Sequence, residues 1–550
     1  MIGRPAARTD VVIAGAGPVG LVLALELGLR GVRCILLNDR ATTARHPKAN
    51  AVSSRTMEHL RRLGVARRLR ARGLDDDHPT DVSYFTRLTG HEIGRLRQPS
   101  RAEAMRRARA GEGDWASPEP PHRVSQIFLE EELKRRADEI ASIETRFGWR
   151  LDEFADHGDH VTALARQTDG DGELAIEADY LIGCDGASSL VRKSLGIEYE
   201  GESGIVRPMM GGPMYATYFE VDPDPPWLPE RKAWQYWTVT PEQRALLIHI
   251  DSRDKFLFLC ALPEAEAGAP VDPVALIHRA VGAEFPVRVI SSVNWTAGYS
   301  LLAQRYRENR VFLAGDAAHL FTPTGGMGMN TGVDDAVNLG WKLAAVVKGW
   351  GGERLLDSYQ AERRPIGNRN LDFARQFADS VGTVPISDAV EAATPEAAAE
   401  RAELRVRFER HGYFEFIIPG IFLGLNYAAS PVIAHDGTAP PDEHPNRYTP
   451  NACPGSRAPH AWLGNDALFD RLGGEYTLLR LGCVGLDTGA LHQAAARCGV
   501  PLTVLDLDDE GPRQTYGSRL VLIRPDQHVA WRGDQVPDDC DTLIATIRGA

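Results

Sequence analysis

The chain has 550 residues, 43% hydrophobic and 25% charged, with a formal net charge of −13 at pH 7. That length exceeds one ordinary core and predicts roughly two to four domains. The acidic balance excludes a general affinity for nucleic acid or acidic membranes, which need a positive surface, and no apolar run of about 18 residues suggests a membrane span.

The start, Met1-Ile2-Gly3-Arg4, runs toward a strand with no signal-peptide core, so a cytoplasmic protein is expected. Asp10 to Ala14 is a short apolar strand leading into Gly15-Ala16-Gly17-Pro18-Val19-Gly20, a helical run Leu21 to Arg30, and a second apolar strand, Cys34 to Leu37. In that setting the glycines suit a dinucleotide. Gly15 makes the turn, Gly17 lets a pyrophosphate approach the backbone, and Gly20 lets helix and strand pack. An acid is expected about 20 residues on to hold a ribose. The chain offers Asn38-Asp39, and either the Asn38 amide oxygen or the Asp39 carboxylate can accept that bond.

Lys48 to Gly64 contains Arg55-Thr56-Met57-Glu58 followed by Leu60 and Leu63, a helical period. Arg95 to Pro121, charged and rich in Gly and Pro, predicts a mobile loop whose Arg101 to Arg109 cluster is a solvated face or a contact for dinucleotide phosphates. Gln126 to Leu133 reads as a helix, and Tyr180 to Gly183 as a strand ending in Cys184-Asp185-Gly186. From Gly201 to Leu302 the pattern alternates, predicting antiparallel strands at Met214 to Val221, Trp234 to Val239, Ala245 to Ile250 and Lys255 to Leu262.

Val311 to Ala314 then forms an apolar strand that delivers Gly315-Asp316 to its carboxyl end, where open α/β sheets bind ligands. Thr322-Pro323-Thr324-Gly325-Gly326-Met327-Gly328 follows, and a helix that Asn330 or Thr331 could cap. A helix start carries about +0.5 charge and free N–H groups, so it suits an anion. Ala393 to Arg410 reads as a helix, and about 95 residues from Gly455 suffice for one small domain. The seven cysteines, an odd number without C-x-x-C, predict reduced thiols and no structural zinc; no metal is expected.

These stretches, in this order, resemble the single-component flavin aromatic hydroxylases, the family of p-hydroxybenzoate and phenol hydroxylases. The resemblance implies an α/β fold: a Rossmann-type FAD-binding domain (1–77, 121–196 and 303–385) with an inserted antiparallel β-sheet substrate domain (78–120 and 197–302). A helical linker region (386–455) and a thioredoxin-like α/β domain without C-x-x-C (456–550), as in phenol and dichlorophenol hydroxylases, complete it. It implies non-covalent FAD, reduced by transiently bound NADPH or NADH, and O₂, which together oxygenate an aromatic, phenolic substrate through a flavin hydroperoxide. A homodimer is compatible with it.

By the same resemblance Gly15, Gly17, Gly20, Lys48, Arg55, Gln126, Asp185, Gly186, Gly315 and Asp316 bind FAD, with Asn38 or Asp39 at the ribose. The backbone of Gly328, Met329 and Asn330 meets the isoalloxazine, and the Pro323 carbonyl faces the substrate. Asn50 stands where some phenol hydroxylases carry an acid near the substrate hydroxyl; Tyr236 and His249 are expected as pocket contacts. The halogenase W-x-W-x-I-P signature is absent. Baeyer-Villiger oxygenation or dehydrogenation on the same scaffold is the second enzyme reading, and a carrier of the guanine nucleotide dissociation inhibitor type is the non-enzyme reading.

Overall fold

A computed structural model describes residues 5–262 and 271–550. Met1–Arg4, on which the reading of the start rests, lies outside them. Among the described residues no helix is long and apolar enough to cross a membrane.

The largest sheet has the strands Ala7–Ala14, Cys34–Asn38, Ile143–Phe147, Glu173–Gly183 and Val311–Leu313 parallel to their neighbours, with antiparallel strands at its margins. Near-continuous apolar runs suit strands buried on both faces. Helices Pro18–Gly28 and Met327–Val347 pack closely because two glycines allow it. A Cβ on Gly340 would stand 2.5 Å from the Glu26 Cβ, and one on Gly332 would stand 2.9 Å from the Gly315 Cα.

A seven-stranded sheet holds Gly212–Glu220, Gln235–Val239, Arg244–His249 and Lys255–Ala261, within a residue or two of the predicted spans, beside Val82–Phe85, Glu92–Leu96 and Arg288–Ala297. All its pairings are antiparallel except Gln235–Val239 with Val82–Phe85. Its two faces bury different sets: Tyr84, Trp237, Leu246 and Ile248 pack toward helix Pro395–Phe416, while Tyr236, Leu247 and Phe256 pack toward helix Pro273–Val281.

The last segment runs strand Tyr476–Leu481, helix Gly489–Arg497, strand Leu502–Leu507, helix Glu510–Tyr516, strands Leu520–Ile523 and Val529–Gly533, and helix Cys540–Ile547. The strands stand in the order second, first, third, fourth, with only the first two parallel. This is the connectivity of a thioredoxin-like sheet.

Two local expectations are corrected. Arg101–Arg109, expected within a loop, is a helix, because Ser100 caps it by accepting from the Glu103 N–H and its Ala, Arg, Glu and Met residues favour helix. The helix after the Gly-rich turn begins at Met327, ahead of Asn330 and Thr331. Its N-cap is Gly326 at φ +64°, a conformation that glycine adopts without strain.

Candidate functional site

Strand register builds the site. Ala14 pairs with both Leu37 and Gly183, and Gly183 pairs with Leu313, so four parallel strands end in one row. The segments leaving that row are Gly15-Ala16-Gly17, Asn38-Asp39, Cys184-Asp185-Gly186 and Gly315-Asp316. The sequence reading placed these residues from separate motifs; the structure brings them to one sheet edge.

Each glycine there has a separate physical reason. Gly15, at φ +104°, lies so close to the neighbouring strand that a Cβ would meet the Cys184 carbonyl oxygen at 2.2 Å. A Cβ on Gly20 would stand 1.9 Å from the Gly15 oxygen. A Cβ on Gly17, at the start of helix Pro18–Gly28, would meet nothing within 4 Å, so its open side and the helix's free N–H groups face the groove. Asn38 accepts a hydrogen bond from the Ala16 N–H at 3.4 Å and donates to the Arg40 carbonyl at 3.2 Å, which ties the second strand to the glycine turn. Asp39 is exposed beside it.

Asp316 is open to water on the groove side and walled by protein elsewhere. Burial raises its pKa above the ordinary carboxylate value, and the charges of His319 and Lys48 oppose that shift. Lys48 is therefore brought toward Asp316. Asp185 faces its own turn, accepting from Ser189 Oγ at 2.5 Å and the Val191 N–H at 3.1 Å. Gly186, at φ +80°, has open space beside it.

Behind Gly315 stands Asp335, which sequence reasoning missed. It accepts from the Gly315 N–H (3.2 Å), His319 Nε2 (2.6 Å) and Arg363 Nε (2.8 Å), and is completely buried. The Asn330 side chain accepts from the Ser53 N–H (2.9 Å) and donates to the carbonyls of Ala51 (3.1 Å) and Gly326 (2.6 Å), stitching the Gly-rich turn to the 51–53 segment. Gln126 accepts from the Ala49 N–H at 3.4 Å and donates to Glu130 at 2.7 Å, supporting the same segment from below. Half-buried Gly328 and Met329 lie in the first helical turn, whose N–H groups have no acceptor within the helix. Pro323 is exposed between two anchors, Thr322 on the Tyr299 carbonyl and Thr324 on the Ala374 carbonyl.

Against this turn lies a partly open cleft, whose empty space with the adjoining solvent included is about 350 Å³, walled by Gly325, Gly326 and Asn330 on one side and by Trp115, Arg123, Glu415 and Phe416 on the other. Glu415 is buried, accepts from the Gly325 N–H at 2.8 Å, and has Oε2 2.7 Å from His411 Nε2. Arg123 sits over the Trp234 ring, 4.5 Å from its centroid. The sequence reading found neither residue. The one available signal was an acid inside the apolar run Phe414 to Ile418, where a charge needs a specific partner. Asn50 adjoins this wall; its Nδ2 donates to the Lys48 carbonyl and its buried Oδ1 has no protein partner.

Three expected site residues lie elsewhere. Arg55 is buried and donates to Glu58 (2.8 Å), Gln527 (2.7 Å) and the Asp526 carbonyl (2.5 Å), because the C-terminal unit docks on its helix and captures the guanidinium. Tyr236 and His249 are on the sheet face that packs against helix Pro273–Val281, opposite the face holding Trp237 and Ile248. Tyr236 Oη accepts from the Ala233 N–H at 2.7 Å, and His249 stacks on Phe256 with centroids 4.3 Å apart. The cause is the two-residue period of a strand, which turns neighbours to opposite faces.

The remaining groove fits FAD: open space over Gly17 at a helix start, a carboxylate at Asp316, and first-turn N–H groups with no acceptor inside their helix beside a partly open cleft. The chain belongs to the FAD-dependent aromatic-ring hydroxylases, since the FAD binding domain family matches residues 8–374 and the aromatic-ring hydroxylase C-terminal family matches residues 451–550. It is a flavin-dependent monooxygenase. Over 98% of its length, and 90% of the relative's, it is 33% identical to the FAD-dependent monooxygenase apdD of Emericella nidulans. It is 29% identical to the 2,4-dichlorophenol 6-monooxygenase of Cupriavidus pinatubonensis, covering 98% of this chain and 96% of that one. Among solved structures it is similar to the rebeccamycin biosynthetic enzyme RebC with reduced flavin, at 32% identity and a TM-score of 0.88 over 100% of both chains.

Proposed function

We propose that this protein hydroxylates a carbon ortho or para to the hydroxyl of a phenolic ring. The balance is Ar–H + O₂ + NAD(P)H + H⁺ giving Ar–OH + NAD(P)⁺ + H₂O. FAD, held without a covalent bond, carries electrons from NADPH or NADH to O₂ when bound. The observation that supports this reading best is the cleft against Gly325, Gly326 and Asn330, lined on its far side by Trp115, Phe416 and Phe422 together with Arg123 and Glu415. A relative named for 2,4-dichlorophenol supports a phenolic ring.

In this reading Gly17 and Asp316 hold FAD's pyrophosphate and sugar, Asn38 or Asp39 its ribose, and the Gly328 to Asn330 backbone its ring edge. Asn330, Glu415 and Gln126 act indirectly, fixing the turn and the 49–53 segment against which substrate is oriented. Trp115, Phe416 and Phe422 exclude water from that cleft. The domain limits expected from sequence, a cytoplasmic setting and a homodimeric assembly belong to the same proposal.

The test is a screen of phenols against the purified yellow protein, following NADPH and NADH consumption and product mass. A phenol-dependent rate with a product heavier by one oxygen is expected. Consumption that yields only hydrogen peroxide with every phenol, or a ring-expanded ester from a ketone instead, overturns the reading.

A further inference from the structure

The cleft contains an arginine that makes no close ion pair, with Glu415 acting on it only from a distance. Arg123 donates to Gln98 Oε1 at 2.9 Å and lies over the rings of Trp234 and Phe416, at 4.5 and 5.9 Å from their centroids. Among the described residues no carboxylate stands within 4.0 Å of it. It also lines a second, outer cleft, about 800 Å³ of empty space with the adjoining solvent included, that shares Trp115 and Pro121 with the first, so it sits at the junction of the two. The other arginines of that outer cleft are neutralised: Arg101 by Asp76, Arg107 by Glu103. Glu415 shares the inner cleft; its Oε1 accepts from the Gly325 N–H, and its Oε2 lies 2.7 Å from His411 Nε2 without a hydrogen bond.

Arg123 is half-buried, so its charge is partly withdrawn from water, and an anionic ligand would complete it. Burial lowers the Arg123 pKa to about 10, which still leaves it charged at neutral pH; Glu415 opposes that shift. A guanidinium has several N–H donors in one plane, and the donors not used on Gln98 have no protein acceptor in this cleft. The geometry points to an aromatic substrate that carries an anionic oxygen, a carboxylate or a phenolate, received by Arg123 at the junction of the two clefts while the ring lies toward Gly325 and Gly326. Arg123 is thus a specificity-determining residue. This rests on the proposed hydroxylation and adds the charge of the substrate to it.

The test uses the FAD-loaded enzyme and three planar probes of similar size, 2-naphthoate, 2-naphthol and 2-methoxynaphthalene, with binding read from the shift in flavin absorbance. At neutral pH 2-naphthoate should bind the unaltered protein about tenfold or more tighter than 2-methoxynaphthalene. Arg123→Met should weaken 2-naphthoate about 10- to 100-fold and leave 2-methoxynaphthalene within about twofold, and Arg123→Lys should recover part of the loss. If 2-naphthol tightens when alkali ionises it, in the unaltered protein and not in Arg123→Met, a phenolate is accepted as well as a carboxylate. Equal affinities for all three probes, unchanged in Arg123→Met, overturn the role of Arg123 and leave the hydroxylase reading standing. No spectral shift with any probe overturns both. The preference within the unaltered protein is itself a readout, so the inference stays testable if Arg123→Met fails to fold.

Discussion

Arg457 donates through Nε and Nη2 to both oxygens of Glu58, across 399 positions of sequence, and both side chains are fully buried. Glu58 lies in the helix that follows the 49–53 segment of the site, and Arg457 opens the C-terminal unit. The same helix gives Arg55 to Asp526 and Gln527 of that unit. The C-terminal unit therefore braces the segment that Asn330 stitches to the flavin-side turn.

Breaking this pair should cost more than it contributes net, because a fully buried carboxylate loses one of its two cations and keeps only Arg55. Arg457→Ala should lower stability by about 3–5 kcal/mol, and Glu58→Leu combined with Arg457→Met should recover only part of it, because Arg55 then keeps just the Gln527 and Asp526 oxygens. Thermal unfolding of the FAD-free protein reads both. Burial raises the Glu58 pKa, but Arg457 and Arg55 outweigh it and hold it at about 2 against a usual 4.5. The group's folded pKa is depressed, so its contribution is complete above about pH 4.5 and is lost as pH falls from there toward 2, on the order of 3 kcal/mol. A stability profile flat through that window in the unaltered protein, or equally sloped in Glu58→Gln, speaks against it.

Gly17 and Gly20 should separate ligand binding from folding. A Cβ on Gly17 enters open groove, so Gly17→Ala should leave FAD-free stability within about 0.5 kcal/mol and weaken FAD about tenfold or more. A Cβ on Gly20 meets the Gly15 oxygen, so Gly20→Ala should destabilise the protein itself by about 1–3 kcal/mol or more. Matching behaviour of the two variants in unfolding and FAD titration would show that the groove is misplaced.

Asp316→Ala should remove a hydrogen bond to FAD from a carboxylate walled by protein, costing on the order of 1.5–3 kcal/mol. FAD affinity should fall about tenfold or more, and equilibrium dialysis against graded FAD measures it. Retention equal to the parent's means that Asp316 does not touch the cofactor.

What the sequence made legible was local. Gly15 and Gly315 leave strand ends at positive φ, Gly17 opens the next helix and Gly20 packs that helix against the Gly15 carbonyl, so short motifs around strand ends carry the information, Asp316 included. Trp115 and Arg123 come from one connecting stretch and Glu415 from helix Pro395–Phe416 far along the chain, and only tertiary packing makes them neighbours. No spacing announces them. Glu58 looked like part of a local helix pattern because its partner is in another unit. For Tyr236 and His249 the alternation was readable and the direction of the two faces was not: a strand with aromatic residues on both sides shows that neighbours diverge, not which one meets the cleft.

That sidedness makes its own prediction. Tyr236→Phe leaves the buried Ala233 N–H without its acceptor and should cost about 1–3 kcal/mol of stability. The ratio of hydroxylated product to hydrogen peroxide should not change, nor should it in His249→Phe. A shift of that ratio in either variant, with folding intact, would return the residue to the substrate site.

Glu415 is where coupling should be most sensitive. Its Oε1 is the acceptor that holds the Gly325 N–H, and Gly325 at φ +61° shapes the turn from which helix Met327–Val347 starts. The acid comes from helix Pro395–Phe416, which walls the cleft, so one hydrogen bond joins the cleft's far wall to the turn beside the reacting ring. Glu415→Gln keeps an acceptor oxygen and should preserve the turn, whereas Glu415→Ala should free it and open the cleft further to water. Displacement of about 1 Å can cost on the order of 100-fold in a positioned step. Reduction by NAD(P)H does not need that alignment. In Glu415→Ala consumption should therefore continue while product falls and hydrogen peroxide rises in step, with Glu415→Gln close to the parent. Measuring NAD(P)H, product and peroxide together with the phenol found by the screen decides it. If Glu415→Ala keeps the parent's ratio at an unchanged unfolding midpoint, the bond to Gly325 does not position the reaction.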